Sequence, residues 1–215
     1  MIRIDAHDPD GVREVVEILK GGGVVCYPTD TAYGLGVDLT NVDGVRRLFE
    51  LKGRDAAKPI LLLVDSVEMT ATVGIPSPEF ESIAGKFWPG PLTLVIPARP
   101  TLPDRISAGT GTVGVRWPKA QLPLTLLAAL GQPVTATSAN RSGLPIARTV
   151  DEAIDQLGDS LDAVVDAGTL TGSATSTVLD LTTDPPQILR NGQVRYSDLA
   201  GFLGGRLVDK PTSDN

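Results

Sequence analysis

Two cations stand one residue apart in LKGRDAAKP, Lys52 and Arg54. A lysine is a point charge and an arginine a planar fork of donors, so the pair suits a phosphate or a carboxylate. The same pair also reads as a solvated helix end complementing its own dipole. Arg116 lies in the otherwise apolar TVGVRWP, where a cation needs an anionic partner or a path to solvent. That partner is either a structural ion-pair carboxylate or a ligand. TATSAN gathers Thr135, Thr137, Ser138 and Asn140, a dense set of small donors and acceptors, and Arg190 stands between QIL and Asn191-Gly192. Finally, CYPTDTAYGLGVD puts Pro28, Thr29, Asp30 and Thr31 at the end of an apolar stretch, with Tyr33, Gly34 and Gly36 behind them. Hydroxyls on a stiff turn, followed by glycines that admit close approach, make the composition of a binding loop.

These residues bind and polarise, and the usual nucleophile sets lack parts. The chain has one histidine, His7, and one cysteine, Cys26, too few for Ser-His-Asp, Cys-His or HExxH chemistry. Cys26 reads as a small buried hydrophobe in a reducing compartment, and His7 as a surface or capping residue. A net charge of -7 with a pI near 4.7 repels nucleic acid, so any RNA contact is expected to be local and direct tRNA binding weak or absent. PILLLV and LPLTLLAAL fall far short of the roughly 20 apolar residues of a membrane span. MIRIDAHDPDG carries acids and no apolar segment of a secretory signal, so a cytoplasmic protein without membrane contact is expected.

The elements that must position these groups follow from periodicity and punctuation. Asp8-Pro9 opens a helix with Val12, Val15, Val16 and Leu19 on one side, stopped by Gly21 to Gly23. Asn41 caps a second helix that carries Val42, Val45, Leu48 and Phe49 and ends near Lys52-Gly53, and Ser77-Pro78 opens a third. LPLTLLAAL, DEAIDQLG and YSDLAGFLGG read as further helices. Strands are expected around Val24-Val25, PILLLV, PLTLVIPA, TVGVRWP, PVTATSAN, DAVVDAG, STVLDL and PQILRNG. The interleaving gives an α/β class with a mixed sheet. One domain over residues 1–205 and a frayed tail over 206–215 are expected. The polar clusters fall at strand ends, where open α/β sheets hold ligands.

Gly109-Thr110-Gly111-Thr112-Val113-Gly114 matches the G-x-G-x-x-G dinucleotide fingerprint, but a Pro-rich loop precedes it and a strand follows, the reverse of what the fingerprint needs. No Walker-type phosphate loop occurs in the chain.

In order along the chain, PTDTAYGLG, KGR, GPLTLV, TVGVRWP, TSANRSG, STVLDL and ILRNG resemble the YrdC family, in particular its threonylcarbamoyl-AMP synthases of the short form. The resemblance runs from about residue 10 to 200. It implies a twisted mixed sheet with flanking helices around a concave, positively charged cavity. It also implies synthesis of L-threonylcarbamoyladenylate from L-threonine, bicarbonate and ATP with Mg²⁺, pyrophosphate leaving, and a downstream enzyme that transfers the threonylcarbamoyl group to tRNA. By the same match Lys52 and Arg54 are catalytic, and Thr31, Arg116 and Ala136 hold threonine. Arg54, Lys58, Thr112, Ser138, Asn140, Ile146 and Arg190 line the nucleotide side. The chain departs from the family pattern at Lys58, where many relatives have Asn, and at Leu63 and Ile146, where long-form relatives carry His and Ser. The additional C-terminal domain of the long form is not expected in this chain. Competing readings are a non-catalytic RNA-binding module using the same cavity, and carbamoyl-adenylate chemistry of the hydrogenase-maturation type.

Overall fold

The structure, a computed structural model, describes residues 1–53, 55, 57–171 and 175–210. Helix α1 (Pro9–Lys20) starts where the Asp8 carboxylate accepts the Asp10 N–H and Pro9 fills the first turn. It buries Val12, Val15, Val16 and Leu19 as their spacing requires. In α2 (Val42–Lys52) Asn41 accepts from the Gly44 N–H at 2.8 Å. Gly53, at φ 56°, ends the helix in the left-handed region directly after Lys52. That abrupt stop leaves Lys52 buried at the helix terminus.

The strands are β1 (Ile2–Asp5), β2 (Val25–Pro28), β3 (Tyr33–Gly36), β4 (Leu61–Leu63), β5 (Leu92–Pro97), β6 (Thr112–Arg116), β7 (Val134–Ser138), β8 (Ala163–Asp166), β9 (Thr177–Asp180), β10 (Gln187–Arg190) and β11 (Val208–Asp209). They form one mixed sheet in the order β1-β8-β2-β3-β7-β4-β6-β5-β9-β10-β11. β2 and β3 form a hairpin, β3 and β4 both run antiparallel to β7, and β6 runs parallel to β4. The remaining helices are α3 (Val67–Val73), α4 (Pro78–Phe87), α5 (Asp104–Ser107), α6 (Gln121–Leu130), α7 (Val150–Leu157) and α8 (Tyr196–Phe202).

Helices pack on both faces, and residues 24–27 at β2 show it one by one. Val24 and Cys26 join the core that also holds Phe49, Phe80 and Val150 from α2, α4 and α7. Val25 and Tyr27 join the other core, with α1 and with Leu126 and Leu127 of α6. The alternation is the period of two of a strand buried on both sides. Cys26 is fully buried, and burial pushes its thiol up to about 12. Modification by a thiol reagent at pH 8 is therefore expected only after unfolding; a rapid stoichiometric reaction of the native protein would contradict this burial.

The expected turn of hydroxyls is the Thr29–Ala32 tip, and Gly34 and Gly36 behind it belong to β3. There the Thr29 N–H donates to the Ala32 carbonyl at 3.1 Å, and the Thr29 Oγ1 accepts the Thr31 and Ala32 N–H groups. Gly36 is needed for packing, since a Cβ there would lie 2.6 Å from the Tyr27 ring. The frayed tail expected over 206–215 is contradicted at its start, because Leu207 is buried and β11 pairs in parallel with Gln187 and Ile188. Residues 211–215 lie outside the described residues. Five elements, β1, β3, β11, α3 and α5, were not foreseen in the sequence. No helix among the described residues is long and apolar enough to cross a membrane.

Candidate active site

Residues opposite one another on paired strands point to the same face of a sheet. Leu63 is opposite Arg116 and Leu61 opposite Ala136. Because Leu61 and Leu63 are two apart on β4, Arg116 and Ala136 share a face. The same alternation adds Thr112 and Gly114 on β6 and Ser138 on β7. Gly114 is opposite Val95, which brings in Thr93; Thr93 is opposite Val178, and Val178 is opposite Arg190. The sequence candidates Thr112, Arg116, Ala136, Ser138 and Arg190 thus line one face of the sheet.

That face is open at its centre. Leu61, Val95, Thr112, Gly114 and Ser138 are partly exposed on it, while the alternate residues Leu62, Leu94, Val113 and Val115 are buried beneath. Gly114 and Ala136 keep the floor low. Three polar groups of residues stand around it.

The first is the tip of the β2–β3 hairpin. Arg116 donates from Nη1 to the Thr31 Oγ1 at 2.9 Å and from Nη2 to the Asp30 carboxylate at 3.2 Å. Three strand spacings separate β6 from β3 in the sheet order, about 14 Å, more than an arginine side chain spans. The hairpin tip must therefore fold over the face to meet it. Arg116 is 3% exposed, and its Nε has no hydrogen-bond partner among the described residues. Burial lowers the pKa of the guanidinium, with Asp30 acting in the opposite sense. Asp30 is thus the anionic partner that the sequence required of Arg116 without naming it. Tyr33 anchors the base of the hairpin: its hydroxyl donates to the Gly168 carbonyl at 2.8 Å and accepts the Ala167 N–H at 2.9 Å. Burial pushes this phenol up.

The second group is the loop after β7. Lys52 Nζ donates to the carbonyls of Ser138 and Asn140 and to the Asn140 Oδ1, the last two at 2.9 and 3.3 Å. Ser138 Oγ also donates to that Oδ1, and Asn140 Nδ2 donates to the carbonyls of Arg141 and Leu144 at 3.0 and 2.6 Å. The Lys52 carbonyl accepts the Ser142 N–H at 2.9 Å. Lys52, Ser138 and Asn140 are therefore one hydrogen-bonded unit, with the ammonium wrapped by loop oxygens. Arg54, the other half of the Lys-x-Arg pair, lies outside the described residues. Lys58 is half-buried, its N–H on the Asp55 carbonyl, and Ile146 is partly exposed in an irregular stretch before the buried Ala147.

The third group is a buried hydroxyl pair that sequence reasoning missed. Thr93 Oγ1 and Ser176 Oγ lie 2.9 Å apart, and Arg190 donates from Nη2 to the Ser176 carbonyl and Oγ at 2.9 and 3.0 Å. Both residues stand inside quoted motifs, GPLTLV and STVLDL, but nothing in spacing marks which hydroxyls turn inward. Gly192 makes this contact possible, because a Cβ there would lie 2.4 Å from the backbone of Ser176 and Thr177. Gly192→Ala is expected to destabilise the fold by about 3 kcal/mol, the upper range of overpacking, and to pull Arg190 away from Ser176. Thermal unfolding checks this, and an unchanged melting temperature would contradict the contact.

Two surface hollows lie off this face. One of about 410 Å³ is bordered by Arg3, Asp5, His7 and Asp166, and one of about 690 Å³ lies against α6 beside Trp117 and Leu124.

The Sua5/YciO/YrdC family model, described as telomere recombination, matches residues 17–192. The threonylcarbamoyl-AMP synthase of Bacillus subtilis is 33% identical over 213 residues, 98% of this chain and 61% of that protein. The threonylcarbamoyl-AMP synthase of Thiobacillus denitrificans is 39% identical over 166 residues, 77% of this chain and 88% of its own length. The crystal structure of Pyrococcus abyssi Sua5 complexed with L-threonine has a TM-score of 0.90 to this fold at 32% identity, over 96% of this chain and 62% of that one. The chain spans about three fifths of the length of the Bacillus and Pyrococcus relatives.

Proposed function

The chain belongs to the Sua5/YciO/YrdC family, and from that premise we propose that it forms L-threonylcarbamoyladenylate from L-threonine, bicarbonate and ATP, releasing pyrophosphate. One observation carries this reading: Arg116, buried beside Thr31 with an unused Nε, at the edge of an open face whose far side is lined by Ser138. An arginine held in this way presents a fork to a carboxylate. The amino acid lies against Arg116, Thr31 and Ala136. ATP lies across Thr112, Ser138, Asn140 and Arg190, with Lys58 and Ile146 along its edge; Arg54 is assigned to the nucleotide by the family resemblance alone.

Among the described residues no cluster of three or more His, Cys, Asp or Glu side chains could hold a metal ion. Mg²⁺ in this reading enters on the phosphates of ATP, as part of the substrate. The threonine amine, as the free base, condenses with bicarbonate to a carbamate with loss of water, and a carbamate oxygen attacks the α-phosphorus while pyrophosphate leaves. The attacking group is already an anion, so the chain's task is to align it and to offset phosphate charge. Lys52 serves that task through the loop it holds. The adenylate then passes to an enzyme that transfers the threonylcarbamoyl group to tRNA. A net charge of -7 leaves no broad surface for tRNA on this chain.

Pyrophosphate release with Mg-ATP, omitting threonine and bicarbonate in turn, tests the reading. Release that needs both supports it. Release without threonine, or tRNA binding without any release, overturns it.

A further inference from the structure

We propose that Asp30 receives the α-ammonium group of the amino acid, so that Asp30 and Arg116 together select a zwitterion. The inference rests on the threonine reading above and adds to it the residue that recognises the amine.

The Asp30–Arg116 contact is unfinished on both sides. Asp30 Oδ1 meets Arg116 Nη2 at 3.2 Å, longer than the roughly 2.7–2.9 Å of a well-formed charge-assisted bond. No second hydrogen bond reaches the Asp30 carboxylate among the described residues, and its side chain is 17% exposed. Arg116, 3% exposed, leaves Nε unpaired. A buried ion pair that served the fold alone would need its remaining donors and acceptors filled to offset desolvation. Here one cationic donor, the enclosed Arg116 Nε, and one oxygen of the more exposed Asp30 remain on the same ion pair.

An α-amino acid carries the complementary pair on a single carbon. Its carboxylate can take the Arg116 Nε, and its ammonium can then reach the free Asp30 oxygen. The backbone of Asp30 is fixed for this by the tip itself, where the Thr29 Oγ1 accepts the Thr31 and Ala32 N–H groups across the turn. A neutral or anionic replacement for the ammonium would leave Asp30 unpaired or repelled, which makes the residue a determinant of specificity.

Calorimetric titration of the full chain tests this with three probes. They are L-threonine, the 2,3-dihydroxybutanoate of matching stereochemistry in which a hydroxyl replaces the amine, and threoninamide, which keeps the amine and loses the carboxylate. The wild-type chain is expected to bind L-threonine at least tenfold more tightly than the hydroxy acid. Asp30→Asn is expected to bring that ratio to within about threefold, and Arg116→Ala to weaken L-threonine to the level of threoninamide. A tenfold preference that survives in a folded Asp30→Asn protein overturns the proposal. If that variant does not fold, Asp30→Ser is held to the same criterion. Failure of the wild-type chain to bind L-threonine at all overturns the functional reading itself and this inference with it, and is recognised without any variant.

Discussion

Arg116→Ala is expected to raise the threonine requirement of pyrophosphate release by about two to three orders of magnitude while changing the ATP requirement by less than about threefold. The magnitude follows from truncating one member of a buried, hydrogen-bonded charge pair, which costs about 2–5 kcal/mol, at roughly tenfold per 1.4 kcal/mol. Part of the loss is the missing contact with the amino acid. The rest is Asp30, which loses its sole side-chain hydrogen-bonding partner among the described residues, and Thr31, which loses the donor at 2.9 Å. The asymmetry between substrates follows from position. Arg116 is at the end of β6 nearest Trp117, four residues from Thr112, and the Ser138 loop is held by Lys52 without it. Arg116→Lys keeps the charge but not the fork, and is expected to recover only a small part of the loss. Initial rates with threonine and ATP varied separately check this, and equal effects on the two would remove Arg116 from the amino-acid side.

Lys52→Met should lower the melting temperature by roughly 6–12 °C, taking about 3 kcal/mol for lost hydrogen bonds to a buried cation and about 2–4 °C per kcal/mol at this chain length. Lys52 is 2% exposed, so methionine fills the space of its stem but returns no donor to the Ser138 and Asn140 carbonyls. Those carbonyls are left without the cation that draws the loop together. Nucleotide binding is expected to fall with stability, because Ser138 and Asn140 shift together. Scanning calorimetry with and without Mg-ATP separates two roles. A variant that keeps its melting temperature and loses only turnover would assign the ammonium to phosphate charge instead of to loop geometry.

The helices were legible because their ends are written in residues with local meaning. Asp8, Asn41 and Ser77 cap through their own side chains, and Gly53 stops α2 by taking a left-handed conformation. The decoy at Gly109–Gly114 was also rightly set aside: Gly109 and Gly111 have positive φ in a loop, and a strand follows. The hairpin was harder, since Gly34 and Gly36 erase the apolar alternation that marks a strand, Gly36 because Tyr27 needs the space. The short elements β11 and α5 carry too few residues for any period to register. In the site, Lys52, Ser138 and Asn140 could be named from their types, as could Thr31 and Arg116. Their grouping could not, because it depends on which strands lie side by side. Asp30 was in view inside PTDT, but only the fold of the hairpin tip over the sheet brings it to Arg116. Ser176 and Thr93 gave no signal, since a hydroxyl that turns inward has the same letter as one that faces water.

The strand order has a consequence for how the chain comes to be folded during synthesis. The β2–β3 hairpin is complete once residue 36 has been made, yet its outer neighbours in the sheet are β7 and β8, which lie about a hundred residues or more further on. At ribosomal speeds of about 5–20 residues per second, roughly ten seconds pass before both arrive. For that interval an apolar two-stranded ribbon, Val25 to Gly36, is exposed on both edges, the form in which a nascent chain is most prone to pair with a neighbour. The distance in sequence that lets one sheet gather residues from Asp30 to Arg190 onto a single face thus makes this hairpin the segment for which a ribosome-associated chaperone would matter most.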